Sequence, residues 1–327
     1  MKSALVIGSG GIARRHCENI KRLLPDVSLT NCPSRPSQTA ASFQNVDHVV
    51  SRLPDIECAQ FDFAVVASPA SLHLEHAEHL VKNNIPVLVE KPLSMNLEEA
   101  ERFITLTDPE KVPVGVGYCL RHLASTKAVK ELLINGEIGI VRNAISEVGQ
   151  YLPSWRPEKD YRETVSAQKS LGGGVLMELS HELDFLMWLF GPLSIEHGKL
   201  RSSAELNLDV EDSADLVLEG ANKTQIYVHM DFLQRRAVRN CRLLGSGGLI
   251  DWNLLDNTVR VERYSLQNVE TLKFEPESNE MYLQMLREFF ALVRGEPNSS
   301  VTVAEAAQTV AIIQELKNRF GPFERCA

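Results

Sequence analysis

The chain has 327 residues, 44% hydrophobic, 24% charged and 6% aromatic, which excludes a disordered or collagen-like polymer and is long enough for two domains with separate cores. A net charge of -9 with no block of basic residues argues against duplex nucleic acid or an anionic membrane as partner and favours a small molecule. The apolar runs FDFAVVASPA and VLMELSHELDFLMWLFG fall short of the roughly 20 residues that span a bilayer, and MKSALVIGSGG at the start leaves no room for a secretory leader.

Ala4 to Ile7 read as a strand running into Gly8-Ser9-Gly10-Gly11-Ile12-Ala13, and Arg14 to Leu24 then show helical periodicity. In a strand-turn-helix of this kind Gly8 allows a tight turn, Gly10 lets a diphosphate approach the backbone, and small Ala13 lets the helix pack on the strand. The free N-H groups at the helix start, around Gly11 and Ile12, face the phosphates. A glycine turn that binds nothing is the competing reading, and the position between a strand and a helix weighs against it. Val27 to Thr30 form the next strand, whose end is where an acid would bind the ribose 2'-hydroxyl of NAD. The residues there are Asn31-Cys32-Pro33-Ser34-Arg35. With no carboxylate to repel a 2'-phosphate and with Ser34 and Arg35 to bind one, NADP is expected ahead of NAD. Strands at Phe61 to Ala67 and Pro86 to Glu90 flank a helix at Leu72 to Asn83, an alternation that specifies a doubly wound parallel sheet. Ser68, Glu90 and Lys91 sit at carboxyl ends of these strands and should face the cofactor cleft. Burial there would lower the lysine pKa and suit it to proton transfer.

Beyond about residue 120 strands follow one another without intervening helices, at Val141 to Gln150, Ser213 to Leu218, Thr224 to Phe232, Cys241 to Leu244 and Val259 to Tyr264. This divides the chain into a nucleotide-binding domain at 1-120 and a domain at 121-327 with a mainly antiparallel sheet, α/β overall. Amphipathic helices at Met281 to Arg294 and Ala304 to Phe320 should cover a sheet or the domain joint. The stretch from Tyr151 to Gly174 lacks periodicity and exceeds an ordinary loop. Tyr151, Trp155 and Tyr161 offer flat faces to a sugar ring, and Arg156 and Arg162 offer planar donors to an anion, so it reads either as a substrate cover or as an arm gripping a second subunit. After Gly172 to Gly174 a helix carries an apolar stripe of Leu176, Leu179, Leu183, Leu186 and Phe190, with Glu178, His181 and Glu182 on the opposite, polar side. Glu178 and Asp184, each three residues from His181, could fix its tautomer. No second ligand cluster accompanies them, so no metal is expected. Cys17, Cys32, Cys58, Cys119, Cys241 and Cys326 form no CxxC pair and read as free thiols of a cytoplasmic protein.

GSGGIARRH at 8-16, ASPASLHLEHAEHLVKNNIPVLVEKPL at 67-93 and GGGVLMELSHELDFLMWLFG at 172-191 together resemble the glucose-fructose oxidoreductase, inositol dehydrogenase and rhizopine-catabolism (Gfo/Idh/MocA) family. The resemblance implies a Rossmann domain, an α+β domain with an open sheet, a homodimer or homotetramer, and NAD(P)-dependent redox chemistry on sugars or polyols. It makes Lys91 of the EKP motif the catalytic lysine and His181 the second proton-transfer group. It also groups His73 with the cofactor-binding residues and Asp184 with the substrate-binding ones, and the narrower resemblance of LSHELD and YCLRH puts Arg121 and His122 near the substrate. Met177 stands where the common pattern has an Asp four before the histidine, and Glu178 is the nearest substitute. LSHELD, YCLRH at 118-122 and SWRPEKDYR resemble a branch associated with bacterial surface-polysaccharide and nonulosonic-acid sugars. The rival reading is a redox-neutral enzyme that retains its cofactor, or a dinucleotide-sensing subunit. The Lys91 and His181 pair weighs against a pure sensor, which needs no proton transfer.

Overall fold

The computed structural model describes residues 1-34, 45-53, 60-108, 110-275, 279-321 and 324-326. The nucleotide-binding region runs through β1 (Ser3–Ile7), α1 (Gly11–Leu23), β2 (Ser28–Cys32), β3 (His48–Val49), β4 (Phe63–Val66), α2 (His73–Lys82), β5 (Val87–Val89), α3 (Leu97–Leu106) and β6 (Val114–Val116). There follow α4 (Ala124–Ile134), β7 (Val141–Gly149), α5 (Val175–Glu178), α6 (His181–Phe190), β8 (Ser194–Ser203), β9 (Ser213–Glu219) and β10 (Gln225–Asp231). The chain ends with β11 (Val238–Gly245), β12 (Gly248–Asn253), β13 (Thr258–Arg263), β14 (Asn268–Lys273), α7 (Glu280–Val293), α8 (Val303–Phe320) and β15 (Glu324–Cys326).

Two units result, one of residues 1-118 with 282-311 and one of 119-281 with 312-327. The first holds a parallel sheet of order β3-β2-β1-β4-β5-β6. Its central strands β1 and β4 are apolar from Ala4 to Ile7 and from Phe63 to Val66 because both faces are covered, and Ala4, Leu5, Val6 and Ile7 are fully buried. The strand order reverses about β1, which has β2 on one side and β4 on the other, and in such sheets the crevice at the reversal receives the ligand. The segment 282-311, which composition places in the 121-327 domain, packs with this first unit. Phe289 and Phe290 of α7 set their ring edges on Phe63 of β4 with centroids 6.1 and 5.0 Å away. Val301 pairs with Val116 at the sheet, and Val303, Ala306, Ala307 and Val310 join the same core as Val116 and Tyr118.

The second unit carries nine strands in the order β14-β13-β12-β11-β7-β10-β9-β8-β15. The sheet is mainly antiparallel, with β7 and β10 parallel at its centre and β8 and β15 parallel at its edge. Period-two alternation separates its faces. On β10, Ile226, Val228 and Met230 are buried while Tyr227 is 42% exposed. The helical layer lies on the buried face, where Phe185 of α6 meets Trp252 of β12 edge-on at 5.1 Å. The Trp252 indole donates to Ser125 of α4 at 3.0 Å. Cys17, Cys32, Cys119 and Cys241 are buried and form no disulfide, and burial pushes the Cys17 thiol up to about 12, which leaves it unreactive at neutral pH. Cys58 lies outside the described residues. Among the described residues no helix is long and apolar enough to cross a membrane.

Candidate cofactor and substrate sites

The glycine turn after β1 is built by exclusion. Gly8 has φ +140°, and a Cβ there would meet the Ala67 carbonyl oxygen at 2.4 Å, so only glycine lets β1 and the end of β4 approach this closely. A Cβ at Gly10 or Gly11 would meet nothing within 4 Å, which leaves open space above the turn. Helix α1 starts there with Gly10 as its N-cap, no side-chain cap and no acid in its first turn. Its first N-H groups and positive dipole end therefore remain available to an anion. The Ser9 hydroxyl beside them is enclosed without a hydrogen-bond partner. A diphosphate fits this combination of space, donors and polarity. Ile12 and Ala13 belong to the first turn of α1, and buried Ala13 packs 3.2 Å from where a Gly8 Cβ would be.

At the end of β2 the expected residues separate. Asn31 is fully buried within the sheet, and its amide donates to the carbonyls of Val6 and Gly8 at 3.0 and 2.9 Å. Asn31 thus braces the glycine turn from within, a position in which an acid would set lone pairs against two carbonyls. Ser34 lines a cavity of about 610 Å3 that also touches Pro33, Ser71, Leu74 and His76. Arg35 lies outside the described residues.

Lys91 follows β5 and is only partly buried, and its two neighbours are each held by a buried histidine. Nε2 of His16 in α1 lies 2.7 Å from a Glu90 carboxylate oxygen, and because a carboxylate only accepts, the nitrogen carries the proton. Burial works to raise the Glu90 pKa, but the His16 hydrogen bond and the charges of His16, Lys91 and His73 hold it below the usual range. The other Glu90 oxygen accepts from the Lys91 backbone N-H at 3.2 Å. His73, expected among the cofactor contacts, turns both ring nitrogens to protein backbone instead, at 2.7 Å from the Pro92 carbonyl and 2.8 Å from that of Ser68. The Ser68 hydroxyl meets His76 at 3.0 Å, and burial drives that ring down to about 4, so it is neutral.

In the second unit the helix after the glycines is broken into α5 and α6, with Glu178 ending the first and His181 opening the second. Each glycine has a separate cause. Gly172 caps the preceding turn in the left-handed region at φ 87°. A Cβ at Gly173 would meet the Val165 carbonyl oxygen at 2.5 Å, and Gly174, at φ +104°, would meet the Glu211 carboxylate at 2.4 Å. The expected polar face of the helix is absent. His181 is 8% exposed and Glu182 and Asp184 not at all, because each acid is buried against an arginine distant in sequence. Arg239 of β11 grips Glu182 at 2.7 and 2.9 Å. Arg121, itself 7% exposed, grips both oxygens of Asp184 at 2.9 and 2.8 Å. Asp184, expected beside the imidazole or the substrate, is thus the counter-ion of Arg121. His122 is buried in the same turn, Cys119–His122.

The stretch after β7 is a series of short 3-10 turns. Trp155 packs edge-on against Phe232 at 5.4 Å, and its indole nitrogen is enclosed without a partner. Tyr151 lies under the Arg235 guanidinium at 3.5 Å, and the Tyr161 hydroxyl donates to the Leu206 carbonyl at 3.1 Å. Arg162 folds back on Asp160, while Arg156 points to solvent exposure. Sequence reasoning missed His16, Arg239 and Arg235. The only advance signal was His16 following the glycine turn, since Arg239 reaches Glu182 from β11 and Arg235 reaches Tyr151 from the connection between β10 and β11, both distant in sequence.

A family model described as an oxidoreductase family with NAD-binding Rossmann fold (GFO_IDH_MocA) matches residues 2-118, and one described as the GFO/IDH/MocA C-terminal domain matches 126-251. The chain is 25% identical over 245 residues to a glucose-6-phosphate 3-dehydrogenase of Bacillus subtilis, covering 70% of this chain and 67% of the relative. To scyllo-inositol 2-dehydrogenase (NADP(+)) IolU of the same organism it is 24% identical over 325 residues, 97% of this chain and 96% of the relative. With other curated relatives the chain spans about half of their length or less, 43%, 53% and 40% in three cases. A solved structure of levoglucosan dehydrogenase in complex with NADH superposes with a TM-score of 0.85 over 98% of both chains at 19% identity, a likeness of fold.

Proposed function

Because the chain belongs to the Gfo/Idh/MocA family of oxidoreductases, we propose that it is an NADP(H)-dependent enzyme that moves a hydride between nicotinamide and a hydroxyl or ketone of a sugar or sugar derivative. The observation that carries this reading is the setting of Lys91, at the carboxyl end of β5, between two neighbours each fixed by a buried histidine. A solvated surface lysine has no need of such bracing. Bound nicotinamide supplies the hydride acceptor or donor. The protein's part is to hold the dinucleotide and move protons. The N-H groups at the start of α1 would hold the diphosphate, with Gly10 and Gly11 leaving it room. Lys91 would take the hydroxyl proton during oxidation and return it during reduction, His181 would be the second group on the proton path, and Glu178 would orient His181.

The preference for NADP rests on the sequence after β2, which offers Ser34 and Arg35 and no acid. Titration by nucleotide fluorescence should give tighter binding of NADPH than NADH, with Arg35→Ala narrowing the ratio; equal affinities in the parent protein would remove the preference, and tighter NADH binding would reverse it. With a panel of sugars, sugar phosphates and sugar nucleotides, turnover of added cofactor is expected, and Lys91→Met should lower it roughly 10²- to 10⁴-fold while nucleotide binding stays within about twofold. Full turnover in that variant would remove Lys91 from the mechanism. Protein isolated with its dinucleotide and unable to exchange it would point to the redox-neutral alternative.

The outer face of the second unit's sheet leaves Ile145, Tyr227 and Leu244 exposed by 50, 42 and 40%. We infer that a second copy of the chain covers this face in a homodimer or homotetramer. A monomer by light scattering at micromolar concentration would rule this out.

A further inference from the structure

We propose that His73 is the positioning residue for Lys91, tying the loop after β5 to the loop after β4 through its two ring nitrogens. The inference rests on the reading of Lys91 given above and extends it to a residue whose two ring nitrogens both face protein backbone.

The geometry is specific. His73 opens α2 and is 2% exposed. Nδ1 is 2.7 Å from the carbonyl of Pro92, the residue after Lys91, and Nε2 is 2.8 Å from the carbonyl of Ser68, two residues beyond β4. On its other side Lys91 is fixed by the Glu90 carboxylate, which His16 holds from α1. Two buried rings from two helices thus bracket one lysine, and they do so at carboxyl ends of adjacent parallel strands.

Carbonyl oxygens only accept, so both contacts are satisfied only when both ring nitrogens carry a proton. A neutral ring has one N-H, and its bare nitrogen would then face a carbonyl lone pair at hydrogen-bond distance. The two-point tie is therefore a property of the imidazolium, and the neutral ring secures one loop only. The charged groups facing the ring are Glu90 and Lys91 from the loop after β5, and on α2 the titratable group coupled to it is His76, which is neutral. Burial lowers the His73 pKa and is the largest influence, the two carbonyls and Glu90 raise it, and Lys91 lowers it. Loss of the ring proton should therefore loosen one of the two loops.

The test needs no substrate. In the full-length chain, selective 15N labelling of histidine, with His73→Gln used to assign the signal, follows both ring nitrogens from pH 4 to 8, a window extended to the acid side because burial lowers the pKa of this ring. Hydrogen exchange of the backbone amides at 90-94 is measured alongside and corrected for the intrinsic effect of pH. Two protonated-type nitrogens are expected at the acid end, with exchange at 90-94 rising as the proton is lost. His73→Gln, which has one donor group and a different reach, should speed that exchange at least tenfold at the acid end, while His76→Gln, which loses only the Ser68 hydroxyl contact, should leave it within about twofold. A single neutral tautomer across the whole range, or unchanged exchange at 90-94 in a folded His73→Gln, overturns the proposal. A folded state is verified by thermal unfolding, and if His73→Gln does not fold, the pH dependence of exchange in the parent protein decides alone. Failure of the Lys91 reading is a separate event, seen as retained turnover in Lys91→Met, and leaves the exchange result unaffected.

Discussion

Asp184 has no exposed surface, and both of its oxygens accept from Arg121, whose own exposure is 7%. Removing one member of such a pair leaves the other charged and unsolvated, which typically costs about 3-5 kcal/mol. Asp184→Asn is therefore expected to lower the stability measured by urea unfolding by that order, and a loss below about 1 kcal/mol would mean that water reaches Arg121. At Gly8 the constraint is steric as well as conformational, with a Cβ 2.4 Å from the Ala67 oxygen. Gly8→Ala should cost about 1-3 kcal/mol in backbone strain and should weaken NADPH binding by at least tenfold, because the turn that presents the α1 N-H groups has to move. Unchanged nucleotide affinity in the folded variant would show that the turn yields elsewhere. The role of Gly8 was legible because it depends on adjacent residues. The role of Asn31 was not, because its acceptors are the carbonyls of Val6 on the neighbouring strand and Gly8 in the turn after it, 25 and 23 residues away, and only the pairing of β1 with β2 reveals them.

Strands β9 and β10 hold His229 between two acids, with ring nitrogens 2.6 Å from Asp215 and 3.0 Å from Asp231. The Asp231 hydrogen bond and, against the opposing effect of burial, the bond to Asp215 push its pKa up to about 9. Arg201 also contacts Asp215, and Gln234 contacts Asp231. A folded-state pKa above the ordinary histidine value of about 6.5 means that this contribution to stability is complete below about pH 6.5 and is lost as pH rises through about 9. Between those limits the melting temperature of the parent protein should fall more than that of His229→Gln; parallel curves would show that the ring is not protonated in the fold. Legibility also varied by element. Helix α2 was expected at 72-83 and found at His73–Lys82, since its apolar spacing is local. Helix α6 has no polar face, because Arg121 and Arg239 arrive from residues 63 and 57 positions away to neutralise its acids. Sequence spacing shows a charge but not its counter-charge. Strands β8 and β14 escaped for another reason, being rich in polar and exposed residues, so that their pairing rather than their composition defines them.

For the whole molecule, the alternation of strands and helices was enough to specify the doubly wound sheet, and the change of pattern near residue 120 marked the second sheet. Hidden from that reading was the return of the chain, in which Phe289, Phe290 and Val301 complete the first unit. A fragment of residues 1-120 would expose Phe63, Val116 and the rest of that contact. It is expected to lack a cooperative thermal transition, whereas the full chain shows one, and a sharp transition in the fragment would mean that 282-311 is dispensable to the core. The same arrangement bears on synthesis. The nucleotide-binding unit cannot close until residue 311 has been made, so at roughly 5-20 residues per second its first 118 residues wait about 10-40 s beside the ribosome with an apolar sheet face uncovered. During that interval the second unit is being made, and the newest segment of the chain is the one the oldest requires.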